Sequence, residues 1–508
     1  MKRPIYATAS IVTVLSVAER ALGFLYRIFL SRALGAEGLG LYQIALSLFG
    51  FFLTIGTGGL PITVSRMITK SKAENSFSGE KHAVSAGVLL SVLLTVPVCL
   101  LFFFSGKSFS FLFSDDRAFP VFKILLLGLT LSSVYAVFRG YFWGNKEFFL
   151  PSVLEVAEES VMVIAGILLL KNVLSPENGA IQAAWAVLLS YIFSFTASMV
   201  CFFIKGGRFS NPKKMLKPIF NTTMPITSVR ASGSLVNSAV AVLLPVMLMR
   251  AGASESEALS LFGIVTGMAV PVLFIPSTLI GSLALVLVPE LSEDFYRKNF
   301  ARLQKNIERG LRFSVLLSCA ILPFFFAIGA DVGKIAFSNA TAGEIIQNSC
   351  FILLPMSLTM ISTSILNALG FEKRTFVYYF LGAAVMLACL FLLPSVCGIY
   401  AYPIGLGGSF VCTAVCNLAF LNKKCGIFKK SRGQVFVQSL LPVILLTFPA
   451  SVFGVICNRF FKTFLGEILA PVCTAVLLAI FLFLFYLLFG VFPKSHLKKE
   501  KNKSHANM

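Results

Sequence analysis

Fourteen stretches of this chain are long and apolar enough to cross a bilayer, and that count constrains the fold more than any other feature. A spanning helix needs roughly 20 mostly apolar residues. Runs of that kind cover approximately 8–30, 41–65, 83–104, 119–143, 151–170, 180–204, 219–249, 259–288, 311–330, 346–369, 376–394, 399–421, 436–457 and 463–491. Only 13% of the 508 residues are charged, about half the share in an ordinary soluble chain. A soluble enzyme, a disordered chain and a disulfide-stapled secreted domain are excluded, and an all-α polytopic membrane protein is predicted. The first run is too long and too charged to read as a signal peptide.

The distribution of charge gives the predicted orientation. Of the 43 Lys and Arg, thirty fall in alternate loops on one side, among them 66–82, 205–217, 297–312 and 423–432; eight fall in the opposite loops and five within spans. Positive loops face the cytoplasm, so both termini are expected there. The net charge of +21 is then topological, and nucleic acid is not an expected partner. The tail from Lys494 to Lys503 reads first as a topology anchor beside anionic headgroups. No loop is long enough to fold alone, so the function belongs to the helical bundle and an enzyme is not expected.

Two short echoes suggest an internal repeat. Leu41-Tyr42-Gln43-Ile44 resembles Leu261-Phe262-Gly263-Ile264, and Gly144-Asn145-Lys146-Glu147 resembles Gly370-Phe371-Glu372-Lys373, at offsets of 220 and 226. Six spans per half is an even number, so the halves share an orientation, and a substrate site is expected in a central cavity between them. The predicted organisation is an N-terminal lobe over 1–210, a C-terminal lobe over 211–430, spans 13 and 14 over 431–492 and a basic cytoplasmic tail over 493–508.

Charged side chains at membrane depth cost at least ~2.5–3.5 kcal/mol each and mark function by default. Span 1 carries Thr13, Ser16, Arg20, Gly23 and Arg27 at steps of three and four, with Glu19 beside them. Span 7 carries Thr223, Thr227, Arg230, Ser234 and Asn237 in the same rhythm. One helical face bearing cations suggests the wall of a watery cavity; interhelical hydrogen bonding serves the hydroxyls equally well. Guanidinium groups bind phosphate oxygens in a fork and stay charged, so Arg20, Arg27 and Arg230, with Asn237, are the candidate substrate-binding residues for an anion. Glu155 and Glu159 share a face of span 5, with Glu158 beside them. They either pair with Arg139 or Arg20, or bind a coupling cation or proton.

Gly56, Gly58, Gly59 and Pro61 in span 2, and Pro271, Pro276 and Gly281 in span 8, loosen helix geometry, as static kinks or as points of bending. The eleven Cys lie scattered in apolar runs and the three His lie in loops or the tail. No metal or cofactor is expected.

The segment Glu19-Arg20-Ala21-Leu22-Gly23-Phe24-Leu25-Tyr26-Arg27, continued by Ser31-Arg32-Ala33-Leu34-Gly35-Ala36-Glu37-Gly38-Leu39-Gly40-Leu41-Tyr42-Gln43, resembles the opening of the stage V sporulation protein B family. That family lies in the polysaccharide-transporter branch of the multidrug/oligosaccharidyl-lipid/polysaccharide flippase superfamily. Phe138-Arg139-Gly140-Tyr141-Phe142, Leu261 to Ala269 and Leu287-Val288-Pro289-Glu290-Leu291-Ser292 resemble further family motifs. The resemblance implies fourteen helices in two lobes around a cavity in a bacterial cytoplasmic membrane. It implies movement of a polyprenyl-pyrophosphate-linked saccharide, such as lipid II, between leaflets. Arg20 matches the first arginine of the lipid II flippases' span-1 motif, whereas the next family arginine falls at Tyr26, one place before Arg27.

The expected function is therefore a flippase using alternating access, with a lipid-linked saccharide and the bilayer as partners. The rivals are a cation-coupled multidrug exporter of the same superfamily, a non-transporting membrane scaffold that recruits cell-wall synthesis proteins, and an intramembrane glycosyltransferase. The exporter needs central acids, the scaffold needs no cavity arginines, and the glycosyltransferase needs an outward catalytic acid or base that no motif here supplies.

Overall fold

The computed structural model describes residues 5–74, 77–104, 108–171, 175–426 and 430–488, and these form helices with no strand among them. The elements are α1 (Ile5–Thr57), α2 (Leu60–Ala73), α3 (Phe77–Phe104), α4 (Ala118–Gly144), α5 (Phe149–Leu169), α6 (Pro176–Ile204), α7 (Lys213–Arg250), α8 (Glu255–Gly263), α9 (Val270–Leu273), α10 (Ser277–Tyr296), α11 (Phe300–Phe337), α12 (Ala340–Asn348), α13 (Leu353–Ala368), α14 (Glu372–Leu392), α15 (Pro394–Cys397), α16 (Ala401–Cys425) and α17 (Lys430–Leu488). The expected tail over 493–508 lies outside the described residues. Helices satisfy their own backbone groups, which is why a chain this apolar adopts them in lipid.

Eleven described stretches are long and apolar enough to span a membrane. Two of them, Ile11–Ala73 and Leu440–Leu487, have the length for two passages each. Helix α5 falls outside the eleven because Glu155, Glu158 and Glu159 occupy its 21 residues. Fourteen passages result among the described residues, as the sequence predicts.

The joints between paired passages differ from the expected loops. The sequence ends span 1 near residue 30 and opens span 2 near 41, yet the chain is helical throughout except at Gly35, where φ is 68° and ψ −177°. The same device recurs at Gly466, with φ 73° and ψ −179°, between the two passages of α17. That backbone region is essentially reserved for glycine. A Cβ at either position would meet nothing within 4 Å, so the requirement is one of backbone and not of space. Beyond the first joint, Arg117 Nη2 lies 2.8 Å from Asp115 and Nη1 2.8 Å from Glu37. Hydrogen bonding to Asp115, and less strongly to Glu37, holds this guanidinium above its ordinary pKa.

Packing divides the chain into two units, Met1–Met268 with Pro394–Ile399, and Ala269–Leu393 with Tyr400–Met508. The chain passes from the first to the second within a π-helical turn, Ile264–Ala269. Such a turn widens the hydrogen-bond spacing, and Pro271 follows it inside α9. Helix α7 packs within the first unit, where Ser234 Oγ bonds Thr54 Oγ1 at 2.8 Å and Ser238 Oγ donates to the Ser47 carbonyl at 2.7 Å.

In unit 1, Leu60, Val64 and Ile68 of α2 pack with Val137, Phe138 and Phe142 of α4 and Phe202 of α6. In unit 2, Ile280 and Leu291 of α10 pack with Ile307 of α11, Ile361 and Ile365 of α13 and Leu421 of α16. Helix α17 docks along α11 through Val315, Cys319, Leu440, Val443 and Ala450. A polar network beside that seam joins Asp331 Oδ2 to Asn458 Nδ2 at 2.6 Å and Asp331 Oδ1 to Lys462 Nζ at 2.5 Å. Thr474 donates to Asn458 at 3.4 Å.

Helices α4 and α13 end in the same kind of stop, but at an offset of 224 residues and not the 226 of the second sequence echo. Helix α4 ends with Lys146 left-handed at φ 60°, and α13 ends with Gly370 left-handed at φ 80°. In both, the next amide donates five residues back, Glu147 to Phe142 and Phe371 to Leu366, each at 2.9 Å. This is the Schellman closure.

Candidate functional site

The ionic residues of unit 1 gather where α1, α4, α5 and α6 face one another. Tyr135, Arg139 and Trp143 recur every fourth residue on α4 and so share one side. Arg139 Nη1 meets Glu155 Oε1 at 2.9 Å. Its guanidinium also lies 5.3 Å from the Trp143 ring centre and 5.9 Å from that of Tyr135, within cation–π reach. The Nε of Arg139 is buried with no hydrogen-bond partner among the described residues. The sequence left open whether span 5 pairs with Arg139 or Arg20; the ion pair within 4.0 Å is with Arg139.

The other acids of α5 face different neighbours. Glu158 faces Ser194 of α6. Glu159 interacts with Arg27 and Glu19 of α1, and Arg27 in turn with Tyr42. Gly23 makes this approach feasible, since a methyl group there would come 2.8 Å from Glu159 Oε1. One turn on, the Tyr26 ring rests on Gly166 of α5. Glu19 interacts with Glu155, Arg20 and Arg139. Four carboxylates and three guanidinium groups thus share one region. Among the described residues they form no cluster of three or more ligand side chains able to hold a metal ion.

The two polar stripes separate in role. On α7, Thr223 and Thr227 are buried against the break between α1 and α2: a Cβ at Gly59 would lie 2.7 Å from the Thr223 carbonyl and 3.0 Å from Thr227 Oγ1. Ser234 bonds Thr54. Arg230 and Asn237, from the same stripe, are exposed. Arg20 is exposed and Arg27 half-buried. Among the described residues, no carboxylate lies within 4.0 Å of Arg20, Arg27 or Arg230, and no hydrogen bond joins Arg230 or Asn237 to span 1. The tyrosines escaped the sequence reading. Tyr135 carried a signal in its four-residue spacing from Arg139 and Trp143, while Tyr26, Tyr42 and Tyr191 did not stand out from the apolar pattern.

A helical bundle with fourteen membrane passages, two packing units and half-buried ionic groups in the first is the architecture of a multi-pass membrane protein. The chain belongs to the family described as "Polysaccharide biosynthesis protein", whose pattern matches residues 5–295. It is similar to stage V sporulation protein B of Bacillus subtilis (strain 168), 24% identical over 394 residues, covering 75% of this chain and 76% of that protein. It is also similar to lipid II flippase MurJ of the same organism, 21% identical over 408 residues, covering 74% and 75%. Among solved structures, an inward-facing multidrug resistance MATE family transporter of the MOP superfamily matches with a TM-score of 0.68 at 15% identity, over 81% of this chain and 96% of that one. Lipid II flippase MurJ in an inward closed conformation matches with a TM-score of 0.66 at 15% identity, over 94% and 98%. The chain is a multi-pass membrane protein of this family, and its fold is that of the MATE and MurJ transporters.

Proposed function

We propose that this chain exports a polyprenyl-pyrophosphate-linked saccharide, a lipid II-like cell-wall or polysaccharide precursor, across the cytoplasmic membrane by alternating access, with both termini cytoplasmic. The observation that carries the reading is the inequality among the arginines. Glu155 neutralises Arg139 at 2.9 Å, whereas Arg20 and Arg230 are exposed with no carboxylate within 4.0 Å among the described residues. A guanidinium held on a spanning helix without an acid is expensive unless it meets water or an anion, and it presents a fork suited to pyrophosphate. Arg27 and Asn237 serve the same headgroup from the flanks of these two positions. The similarity to a lipid II flippase supports a substrate of this class.

The test is headgroup accessibility on the outer face of cells depleted of this protein and complemented with variants. Arg20→Ala and Arg230→Ala are expected to insert normally and to block export of a lipid-linked precursor. Full complementation by both variants overturns the pyrophosphate reading, and it is also the outcome that a scaffold for cell-wall synthesis proteins requires.

One observation favours a second element of the mechanism. Glu19, Glu158 and Glu159 form no ion pair within 4.0 Å among the described residues, and they share their region with Arg27 and Arg139. We assign to Glu155 and Glu159 the coupling step, in which a proton or cation exchanges against the arginines. If the carboxylates serve a cation-coupled drug exporter instead, Glu159→Gln abolishes efflux of organic cations from whole cells while precursor export is untouched.

A further inference from the structure

Two cavities in unit 1 follow one another along the same three helices, parted by the packed side chains of Val84, Phe138, Tyr141 and Phe202. The first, of about 310 Å³, sits at the ends of α3, α4 and α6, with Val84, Tyr141 and Phe202 as its floor and Lys81, Lys205 and Arg208 at its rim. The second, of about 300 Å³, starts one turn farther along each helix, at Val88 of α3, Phe138 of α4 and Met199 of α6, and continues to Val92, Leu131 and Phe195. At 1.5 Å per residue, Val84 to Val92 covers about 12 Å of membrane depth. Its lining is apolar except for Thr130, whose hydroxyl is bonded to Thr95 at 3.0 Å.

The charges of the first cavity do not cancel. Its one acid, Glu80, accepts a hydrogen bond from Asn145 Nδ2 at 3.0 Å. Lys205 is paired with Glu147. Lys81 and Arg208 have no hydrogen-bond or ion-pair partner among the described residues. The loop bearing Arg208 is nevertheless held in place. The Ser210 amide donates to Ser85 Oγ at 2.8 Å, and His82 Nδ1 lies 2.6 Å from the Asn211 carbonyl oxygen. Gly207 packs so closely under Phe202 that any side chain there would strike the ring. Two cations without partners among the described residues thus stand about one helical turn from an apolar groove, at the end of the bundle that the orientation proposed above puts in the cytoplasm.

We propose that this groove binds an acidic glycerophospholipid of the inner leaflet, with its phosphate between Lys81 and Arg208 and one acyl chain along Val88, Phe138 and Met199. A soluble phosphate uses the cations but leaves the apolar trough idle. A zwitterionic lipid uses the trough but gains little from the cations.

The test uses the full chain in nanodiscs of phosphatidylcholine that contain a minor fraction of either phosphatidylglycerol or phosphatidylcholine with a photoactivatable group on the acyl chain. Crosslinks are mapped by mass spectrometry to the segments around Val88 and Met199. The expected result is a preference for the acidic lipid on the order of tenfold, lost in Lys81→Gln/Arg208→Gln and retained in Lys81→Arg/Arg208→Lys. Crosslinking at α17 serves as the control for folding. Equal yields for the two lipids, or a preference unchanged in the Gln pair, overturn the proposal. Displacement of the label by inorganic phosphate also overturns it, in favour of a soluble anion.

Discussion

Two carboxylate clusters, one in each unit, are treated in opposite ways, although Glu308 Oε1 of α11 in unit 2 is also buried without a partner among the described residues. In unit 2, Asp331 is 4% exposed at its side chain and is fully engaged by Lys462 and Asn458, with Thr474 behind. In unit 1, Glu155 is paired, but Glu19, Glu158 and Glu159 surround arginines they do not bridge, and the Arg139 Nε and the Tyr26 and Tyr135 hydroxyls are buried without partners among the described residues. Buried polar groups are normally satisfied because leaving one unpaired costs about 1–3 kcal/mol. A closed network fastens helices together; an open one retains capacity for something to be added. The first is suited to assembly, and the second is where the proposed transport step is assigned.

Five substitutions can break or sharpen this contrast. The largest effect is expected from Asp331→Ala, which strands Lys462 and Asn458. Loss of one partner of a buried pair costs roughly 3 kcal/mol, visible as a lower Tm of the purified protein and a lower yield, with transport per folded molecule unchanged. A normal Tm would remove the contrast from the unit 2 side. Next is Gly35→Ala, with Gly466→Ala as its counterpart. Each is expected to destabilise by about 2 kcal/mol through backbone strain, and because space is open at both positions, further enlargement to Ser should add nothing. Glu159→Gln is expected to lower precursor export roughly tenfold, about 1.4 kcal/mol in the barrier, with Tm nearly unmoved. A fall in Tm as large as that of Asp331→Ala would make the unit 1 cluster structural as well. The smallest is Lys146→Gly, which relieves a left-handed non-glycine residue and should stabilise the α4 stop by about 1 kcal/mol, read as a modest rise in Tm.

The helices were legible because lipid forces the backbone to satisfy itself, so hydropathy alone finds the spans. Helix α5 illustrates the margin: its length was plain, yet three glutamates lower its apolar character. The joints at Gly35 and Gly466 were not legible as single residues, since a glycine between apolar runs reads equally well as loop or close packing. In the site, the spacing allows the span 5 acids to pair with Arg20, to pair with Arg139 or to bind a coupling cation or proton, and the structure places Glu155 beside Arg139. The α7 stripe read as one polar face, but Thr223, Thr227 and Ser234 are used against span 2, and Arg230 and Asn237 stay exposed. Helical periodicity tells which residues share a face and cannot tell how much of that face a neighbour covers.

The glycine joints also bear on how force travels in this molecule. A loop of several residues lets two rods move separately, whereas one residue with two dihedral angles leaves almost no slack. Tilting the rod that carries Arg20 and Arg27 must drag the rod that carries Tyr42 and Thr54, as a folded ruler turns at its pin. A displacement begun at the arginines would reach Ser234 on the far side of that second rod without any messenger other than the chain itself.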